Sequence, residues 1–580
     1  MGGLGAVLDI AKGALLTQKY AIDVVSHNIA NVNTPGYTRQ APLLEAKDAQ
    51  RLGGVMLGRG VEITDVVQLS NDFIETRLRD RKSDLAAMEE KEVYLSVLEG
   101  IFNERTGLPL SAQLADFWNA WHDLSNDPSG TEERNILYER GLSLAQSFKD
   151  LAYDLNQLER EINISLESGV ARVNELLDQI ATLSVQIIDV GVTGNANDLH
   201  DQRNTLLSEL SQYMDIVALE HEDGNVTVST RRGHILVSKA DTYPLSLKSG
   251  EIEWQGSGGS QVIITDTITG GKMGGWLDMR DGIVPQVGAD LDEVARSIIW
   301  EVNQIHAQGV GTQAFSSVTG TNAAADSTEE MGTEDSGLDF YDAISDGSFE
   351  FWLYDDTGAV VGSTTLNIVK NTTTLDALAA SITAIHANVT ANVSGGKLQV
   401  TAAGNYRFAF GDDTSGVLAG LGINTFFSGS DASGMGVNPL LSSGKEFIAA
   451  ARVDPATGAF ADGDNANANA LANLQYQDVT VKHWSYIRGS TPTSQDASAT
   501  LENHLQSFVG SIGIESQSVQ RAREYNEIIV DELNQTRDSI SAVSLDEELT
   551  NLIEYQHAYS AAAKLITTAD EMLQVLMDIR

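Results

Sequence analysis

The chain has 580 residues, too many for one hydrophobic core, so about three or four domains are expected. Apolar residues make up 42%, enough to fold, while the net charge of −44 argues against nucleic acid and anionic lipid as partners. The absence of cysteine removes disulfides, thiolate metal sites and cysteine nucleophiles together, and suits an exported protein that does not rely on oxidation.

Leu4, Leu8, Ala11, Leu15, Gln18, Ile22, Val25 and Ile29 alternate spacings of four and three. This is the heptad seam of an amphipathic helix, with Gln18 as its one polar position. Asp9 and Lys12 break the apolar run too early for a membrane span. No later stretch reaches the ~18 to 20 apolar residues that a span needs, so no membrane insertion is expected. The start also lacks a basic region and a small-residue cleavage site, so no cleaved signal is expected.

The first helix ends in Asn31-Val32-Asn33-Thr34-Pro35-Gly36-Tyr37. Pro35 disfavours the helical conformation at Thr34. Pro35-Gly36 suits the centre of a type II turn. Asn28, Asn31 and Asn33 are expected to bond nearby backbone and end the helix locally.

Residues 41–70 read as extended. From about 71 to 103, Ile74, Leu78, Leu85, Met88, Leu95, Leu98 and Phe102 mark a helical face. Arg77, Arg79, Arg81 and Lys82 on that helix read as a solvated face rather than an anion site. A shorter helix over 111–125 carries Phe117, Trp118 and Trp121, a spacing that suits core packing. Residues 132–190 contain no proline and keep helical spacing from Leu144 to Leu177. They read as one rod of roughly 90 Å, with Gly141 and Gly169 as its candidate kinks. Residues 197–214 add a helix containing Asp201-Gln202-Arg203, where His200-Asp201 reads as a surface pair.

The period then changes. Residues 216–247 and 252–268 alternate apolar with polar and read as antiparallel hairpins. A helix returns over 285–308. Residues 311–349 carry eight acidic residues and no Lys or Arg. They lack the D-x-D-x-D-G spacing of a calcium loop, so a solvated acidic loop is expected. Residues 347–425 read as a small α+β module, and a short helix is expected over 467–476. Helical pattern resumes over 494–537.

The last segment, 541–580, carries one long stripe: Leu545, Leu549, Leu552, Tyr555, Tyr559, Ala562, Ile566, Ala569, Leu573 and Leu576. Asp546, Glu547 and Glu548 stand in its first turn, where the helix dipole favours them. The helix is about 50 Å long and needs cover, which the Leu4–Ile29 seam supplies. The expected fold is multidomain α+β. Both chain ends form a long coiled-coil-like helical bundle, and the middle of the chain forms β-rich outer domains. The expected divisions are an axial helix and extended segment (1–70), a helical rod half (71–215), a β-rich segment with a returning helix (216–310), an acidic β-rich outer domain (311–480), the second rod half (481–540) and a C-terminal axial helix (541–580).

No phosphate-binding loop, nucleophile elbow or zinc-protease helix is present, and the ten histidines are scattered. No catalytic, cofactor or metal site is therefore expected, and the chain does not read as an enzyme. A surface adhesin using the acidic middle is the competing class.

Two motifs carry a resemblance. Ser26-His27-Asn28-Ile29-Ala30-Asn31-Val32-Asn33-Thr34-Pro35-Gly36-Tyr37-Thr38-Arg39-Gln40 resembles the signature of bacterial flagellar rod, hook and hook-associated proteins. Leu549-Thr550-Asn551-Leu552-Ile553-Glu554-Tyr555-Gln556 and the following Ala558 to Lys564 resemble that family's C-terminal motif. The long helix after Thr131, Asp201-Gln202-Arg203, and Gly463-Asp464-Asn465 with Asn467, Ala468, Leu471 and Leu474 look like the members at the hook–filament junction. Hook protein shares both terminal motifs and is the alternative.

The resemblance implies a structural subunit that forms a ring between hook and filament and supports filament growth. Hook protein and hook-associated protein 3 would be its axial neighbours. An export chaperone would bind it before secretion to the cell exterior through the flagellar type III channel. Leu4, Leu8, Leu15, Ile22, Val25, Ile29, Leu545, Leu549, Leu552, Tyr555, Tyr559, Ile566, Leu573 and Leu576 would be assembly positions. Asn28, Asn31, Thr34, Pro35, Gly36, Tyr37, Arg39, Gln40, Asn551 and Gln556 would be the family motif.

Overall fold

The computed structural model describes residues 2–52, 55–102, 110–191, 196–221 and 223–578. Helix α1 (Gly2–Ala30) leads into a hairpin of β1 (Gln40–Ala46) and β4 (Val61–Gln68), extended by β2 (Gln50–Leu52) and β3 (Val55–Leu57). Helices α2 (Asp72–Phe102), α3 (Leu110–Asn126), α4 (Thr131–Gly191) and α5 (Asn197–Tyr213) follow. Strands β5 (Ile216–Glu220), β6 (Val226–Thr230), β7 (Ile235–Ser238) and β8 (Asp241–Thr242) pair in chain order. So do β9 (Leu245–Lys248), β10 (Glu251–Gln255) and β11 (Gln261–Ile263). Then come α6 (Gly271–Asp278), α7 (Val284–His306), α8 (Leu375–Thr383), α9 (Val417–Gly420), α10 (Pro439–Ser443), α11 (Ala466–Asn473), α12 (Leu501–Ser541) and α13 (Leu545–Asp578).

The chain divides into two compact units. The first holds Met1–Glu92, Ile162–Asp278 and Ser518–Arg580; the second holds Val93–Glu161 and Met279–Gln517. Helices α2, α4 and α12 contribute residues to both.

Helix α4 is continuous over 61 residues, as its unbroken apolar period predicts. Its glycines are not kinks. In the first unit a Cβ on Gly169 would stand 2.6 Å from the Trp276 ring, and in the second a Cβ on Gly141 would stand 2.5 Å from the Phe426 ring. Both positions are small because an aromatic ring lies against the helix there. In the first unit Ile162, Leu166, Val173, Leu176, Leu177 and Ile180 of α4 are buried.

The second unit is built on a sheet whose central strand, Gly347–Tyr354, pairs with Val360–Ile368 on one side and Arg407–Gly411 on the other. Phe349, Phe351, Phe408 and Phe410 fill its core. A second sheet pairs Lys397–Ala402 with Ser317–Thr319 and Val389–Ser394, and α8 packs on it. The expected acidic loop over 311–349 is solvated at Asp326, Glu334, Asp335, Asp339, Asp342 and Asp346, but its apolar residues are not. Phe315, Val318, Met331, Leu338 and Ile344 from it are buried in the same core. These apolar residues recur at no fixed period, which is why the segment reads as a loop although it packs as core. The helix expected from 494 begins only at Leu501, because Thr493–Thr500 pairs as a strand with Asp478–Ser485. Phe117, Trp118 and Trp121 of α3 are buried, as their spacing predicts.

Polar groups close this unit. Asn467, fully buried, donates from Nδ2 to the Ala449 carbonyl and accepts from Arg452 Nε at Oδ1. Asn465 donates to the Ser125 carbonyl, and Asp464 accepts the Arg452 amide. Asp464 and Asn465, half-buried, and Asn467, fully buried, are thus clasps between segments of this unit.

The junction of the two chain ends as candidate functional site

Helix α1 packs along α13, so the two chain ends cover one another. The deepest line on α1 is Ala11, Thr17, Ala21, Val25 and Asn28, all buried. Leu4, Leu8, Leu15, Ile22 and Ile29 flank it and are half-buried. On α13, Ala562 and Ala569 are buried, while Leu552, Tyr555, Tyr559, Ile566 and Leu573 are half-buried. Alanines at the centre of both faces let the helix axes approach closely. The Leu576 side chain lies outside the described residues.

The stripe on α13 does not all face α1. Leu545 and Leu549 are 46% and 48% exposed. At 3.6 residues per turn, the two successive three-residue steps from Tyr555 back to Leu552 and Leu549 put Leu549 about 120° and Leu545 about 80° round the helix from Tyr555, away from α1. The exposed half of the pair is a second, broader apolar face, with Leu549, Ile553, Leu565, Met572 and Val575 spread over it on α13 and Val7, Leu16 and Tyr20 exposed on α1.

The motif between α1 and β1 folds as its residues require. The Tyr37 amide donates to the Thr34 carbonyl, and Gly36 takes φ +79°, as the second central residue of a type II turn must. Asn31 acts locally, donating to the His27 carbonyl and accepting from the Thr34 hydroxyl. Thr34, Pro35 and Gly36 form the exposed tip.

Asn28 departs from the expected local role. Its Nδ2 donates to the Gln40 carbonyl at 2.9 Å and to Glu548 Oε2 at 3.0 Å. Its Oδ1 accepts from the Gln40 amide at 3.0 Å and the Tyr37 hydroxyl at 2.8 Å. Every hydrogen-bonding site of this buried amide is thereby used. Arg39 donates from Nε to Glu548 Oε1 at 2.7 Å and from Nη1 to Glu547 Oε2 at 2.6 Å, while its amide donates to the Ser541 carbonyl. The turn after α1 therefore grips the first turn of α13 directly.

Glu548 is not a dipole-favoured surface acid, as its place in the first helical turn suggests. Its side chain is 1% exposed and depends on Arg39 and Asn28. The available signal was its position, since a carboxylate three and four residues before Asn551 and Leu552 falls on the buried side of the stripe. Burial, reinforced by the charges of Asp198, Asp201 and Glu548, holds the Tyr37 hydroxyl well above its ordinary pKa. Asn551 is half-buried and Gln556 is exposed on α13.

The basic patch on α2 divides. Arg81 pairs with Asp84, and Arg77 lies over the Phe73 ring. Arg79 and Lys82 line a cavity of about 780 Å³ together with Arg537, but Asp72, Glu75, Glu209, Glu220 and Asp538 line it too. The mixture of charge is that of a solvated cleft. Among the described residues no group of three or more His, Cys, Asp or Glu side chains is placed to hold a metal ion, and no helix is long and apolar enough to cross a membrane.

Known family models cover the first motif segment up to Thr38 and the whole of the second. A flagella basal body rod protein model matches residues 8–38, and a flagellar basal body rod FlgEFG protein C-terminal model matches residues 534–579. A model of the flagellar hook-associated protein FlgK helical domain matches residues 95–322. Flagellar hook-associated protein 1 of Bacillus subtilis (strain 168) is 27% identical, over 98% of this chain and 97% of its own length. The same-named protein of Salmonella typhimurium is 24% identical over 100% of both chains. The solved flagellar hook junction protein FlgK of Burkholderia pseudomallei shares the fold, with a TM-score of 0.51 and 16% identity over 80% of this chain and 100% of that chain. On these matches the chain is similar along its full length to flagellar hook-associated protein 1, and its role is that of a structural axial component of the flagellum at the hook–filament junction.

Proposed function

We propose that this chain assembles as a ring between hook and filament, through α1 and α13, and that the ring supports filament growth. The observation that carries this reading is the second apolar face. Leu549, Ile553, Leu565, Met572 and Val575 run along a helix whose other side is already covered by α1. Exposed apolar side chains along the whole length of one helix mark an interaction surface, and neighbouring copies of the same helix pair are its partners. Hook protein and hook-associated protein 3 are the axial neighbours on either side. The same face needs shielding before assembly, which is the work of an export chaperone on the way to the cell exterior. The relatives are structural flagellar proteins, and the role proposed for this chain is structural rather than enzymatic.

Deletion followed by electron microscopy of the cell surface tests the reading. Hooks without filaments, with flagellin shed into the medium, are expected. Missing hooks would move the assignment to hook protein.

A further inference from the structure

The Asp201-Gln202-Arg203 motif lies outside the helix pair, yet it reaches the turn that holds that pair. Asp201 is 7% exposed, so it is not half of a surface pair with His200. Its Oδ2 accepts the Thr38 amide at 3.0 Å, and its Oδ1 accepts Gln68 Nε2 at 2.8 Å. Among the described residues no basic side chain forms an ion pair with it. A buried carboxylate held only by uncharged donors is costly to keep. Burial accordingly pushes its pKa up.

Neighbouring contacts make the same connection. Gln68 also donates to the Asn197 carbonyl, Asn197 donates to the Val66 carbonyl, and Gln40 donates to Asp198. On the far side of α5, Arg203 is fully buried, pairs with Glu220 of β5 and donates to the Gly224 carbonyl. Thr38 is the residue next to Arg39, which holds Glu548. A continuous polar path therefore runs from Glu548 through Arg39, Thr38 and Asp201 into α5, all within the first unit.

We infer that Asp201 is a positioning residue that clamps the 31–40 turn and the end of β4 to α5, and so fixes the start of α13 on the first unit. For its consequence in assembly this rests on the junction reading above. The clamp itself does not. Arg203 anchors α5 to β5, so a displacement of α13 is resisted by the sheet and not by the turn alone.

Hydrogen exchange read by mass spectrometry on the full-length chain tests it. In Asp201→Ala, exchange at Thr38 should quicken about tenfold or more, the effect of losing one charge-assisted hydrogen bond. Segment 545–555 should quicken with it, while segment 165–180 of α4 stays at the unsubstituted rate. Gln68→Ala, which leaves the carboxylate in place, should give the same pattern more weakly, and it decides the matter if Asp201→Ala does not fold. Segment 545–555 at the unsubstituted rate in a folded variant would overturn the coupling. So would equal acceleration of 165–180, which marks a general loss of stability. Complementation of a deletion strain with Asp201→Ala should cause flagellin shedding. The expected exchange pattern with fully retained filaments would keep the coupling and overturn its role in assembly.

Discussion

Arg39 Nε donates to Glu548 Oε1 at 2.7 Å, closing a contact between residues 509 positions apart. Arg39 is 19% exposed and Glu548 1% exposed, so most of the pair is out of water. Breaking a buried pair costs about 3–5 kcal/mol, and because Glu547 still pairs with Arg39 the lower end of that range applies to loss of Glu548. Glu548→Ala also strips an acceptor from Asn28. The docking of α13 on the turn after α1 should weaken by that order. The neighbouring Glu547, 62% exposed, also pairs with Arg39, and Glu547→Ala should cost under about 1 kcal/mol. Exchange rates over 545–560 measure both, and equal effects would contradict the buried geometry.

Leu549 and Ile566 separate assembly from folding. Ile566 is half-buried on the side that meets α1, whereas Leu549 is about half exposed on the second face. Ile566→Asp should loosen the helix pair in the isolated chain, because it desolvates a charge against α1. Leu549→Asp should leave the isolated chain's circular dichroism and exchange unchanged yet block incorporation at the junction. Normal motility in Leu549→Asp would remove the second face as an assembly surface.

Gly36 has two reasons to be glycine. It sits at φ +79°, and a Cβ there would stand 2.6 Å from Thr205 Oγ1. Gly36→Ala should destabilise the turn by about 1–3 kcal/mol, through backbone strain plus contact with α5. In a Thr205→Ala background the contact goes and the strain stays, so part of the loss should return. Chemical denaturation followed at the first unit reads the difference.

His306 gives the second unit a pH dependence. It is fully buried, with Nδ1 bonded to the Asn424 carbonyl and Nε2 accepting the Ala449 amide, an arrangement that requires the neutral ring. Burial lowers its pKa to about 4; the Asn424 bond opposes this and the Arg134 charge adds to it. The unfolded chain takes up the proton first, near 6.5, so the stabilisation is fully present above that pH. It declines as pH falls and is gone below about 4, a span on the order of 3 kcal/mol. Melting of the second unit between pH 7 and 4 should show this slope. His306→Gln should lower stability at pH 7 and flatten the slope; an unchanged slope would assign the effect to other groups.

The terminal motifs were legible because they are local. A type II turn needs Pro35-Gly36 in sequence, and an amphipathic helix repeats its apolar residues within one segment. Asn28 and Glu548 were misread because their partners are remote. Each has a sufficient local explanation, a helix terminator and a dipole-favoured acid, and only the contact with each other displaces it. The 311–349 segment was misread for a related reason. Its buried residues follow no period and are interspersed with eight acids.

By itself the sequence determined the elements and the pairing of the ends. Period 3.6 over α4 and α13, period 2 over β5 to β8, and two terminal motifs required nothing beyond neighbouring residues. The tertiary structure decided which side of each element is covered. The three-residue steps between Leu549, Leu552 and Tyr555 turn Leu545 and Leu549 away from α1, and burial makes Asp201 and Glu548 structural carboxylates. Exposure and pairing are properties of what lies across the gap, and residues 509 positions apart in the chain supply it.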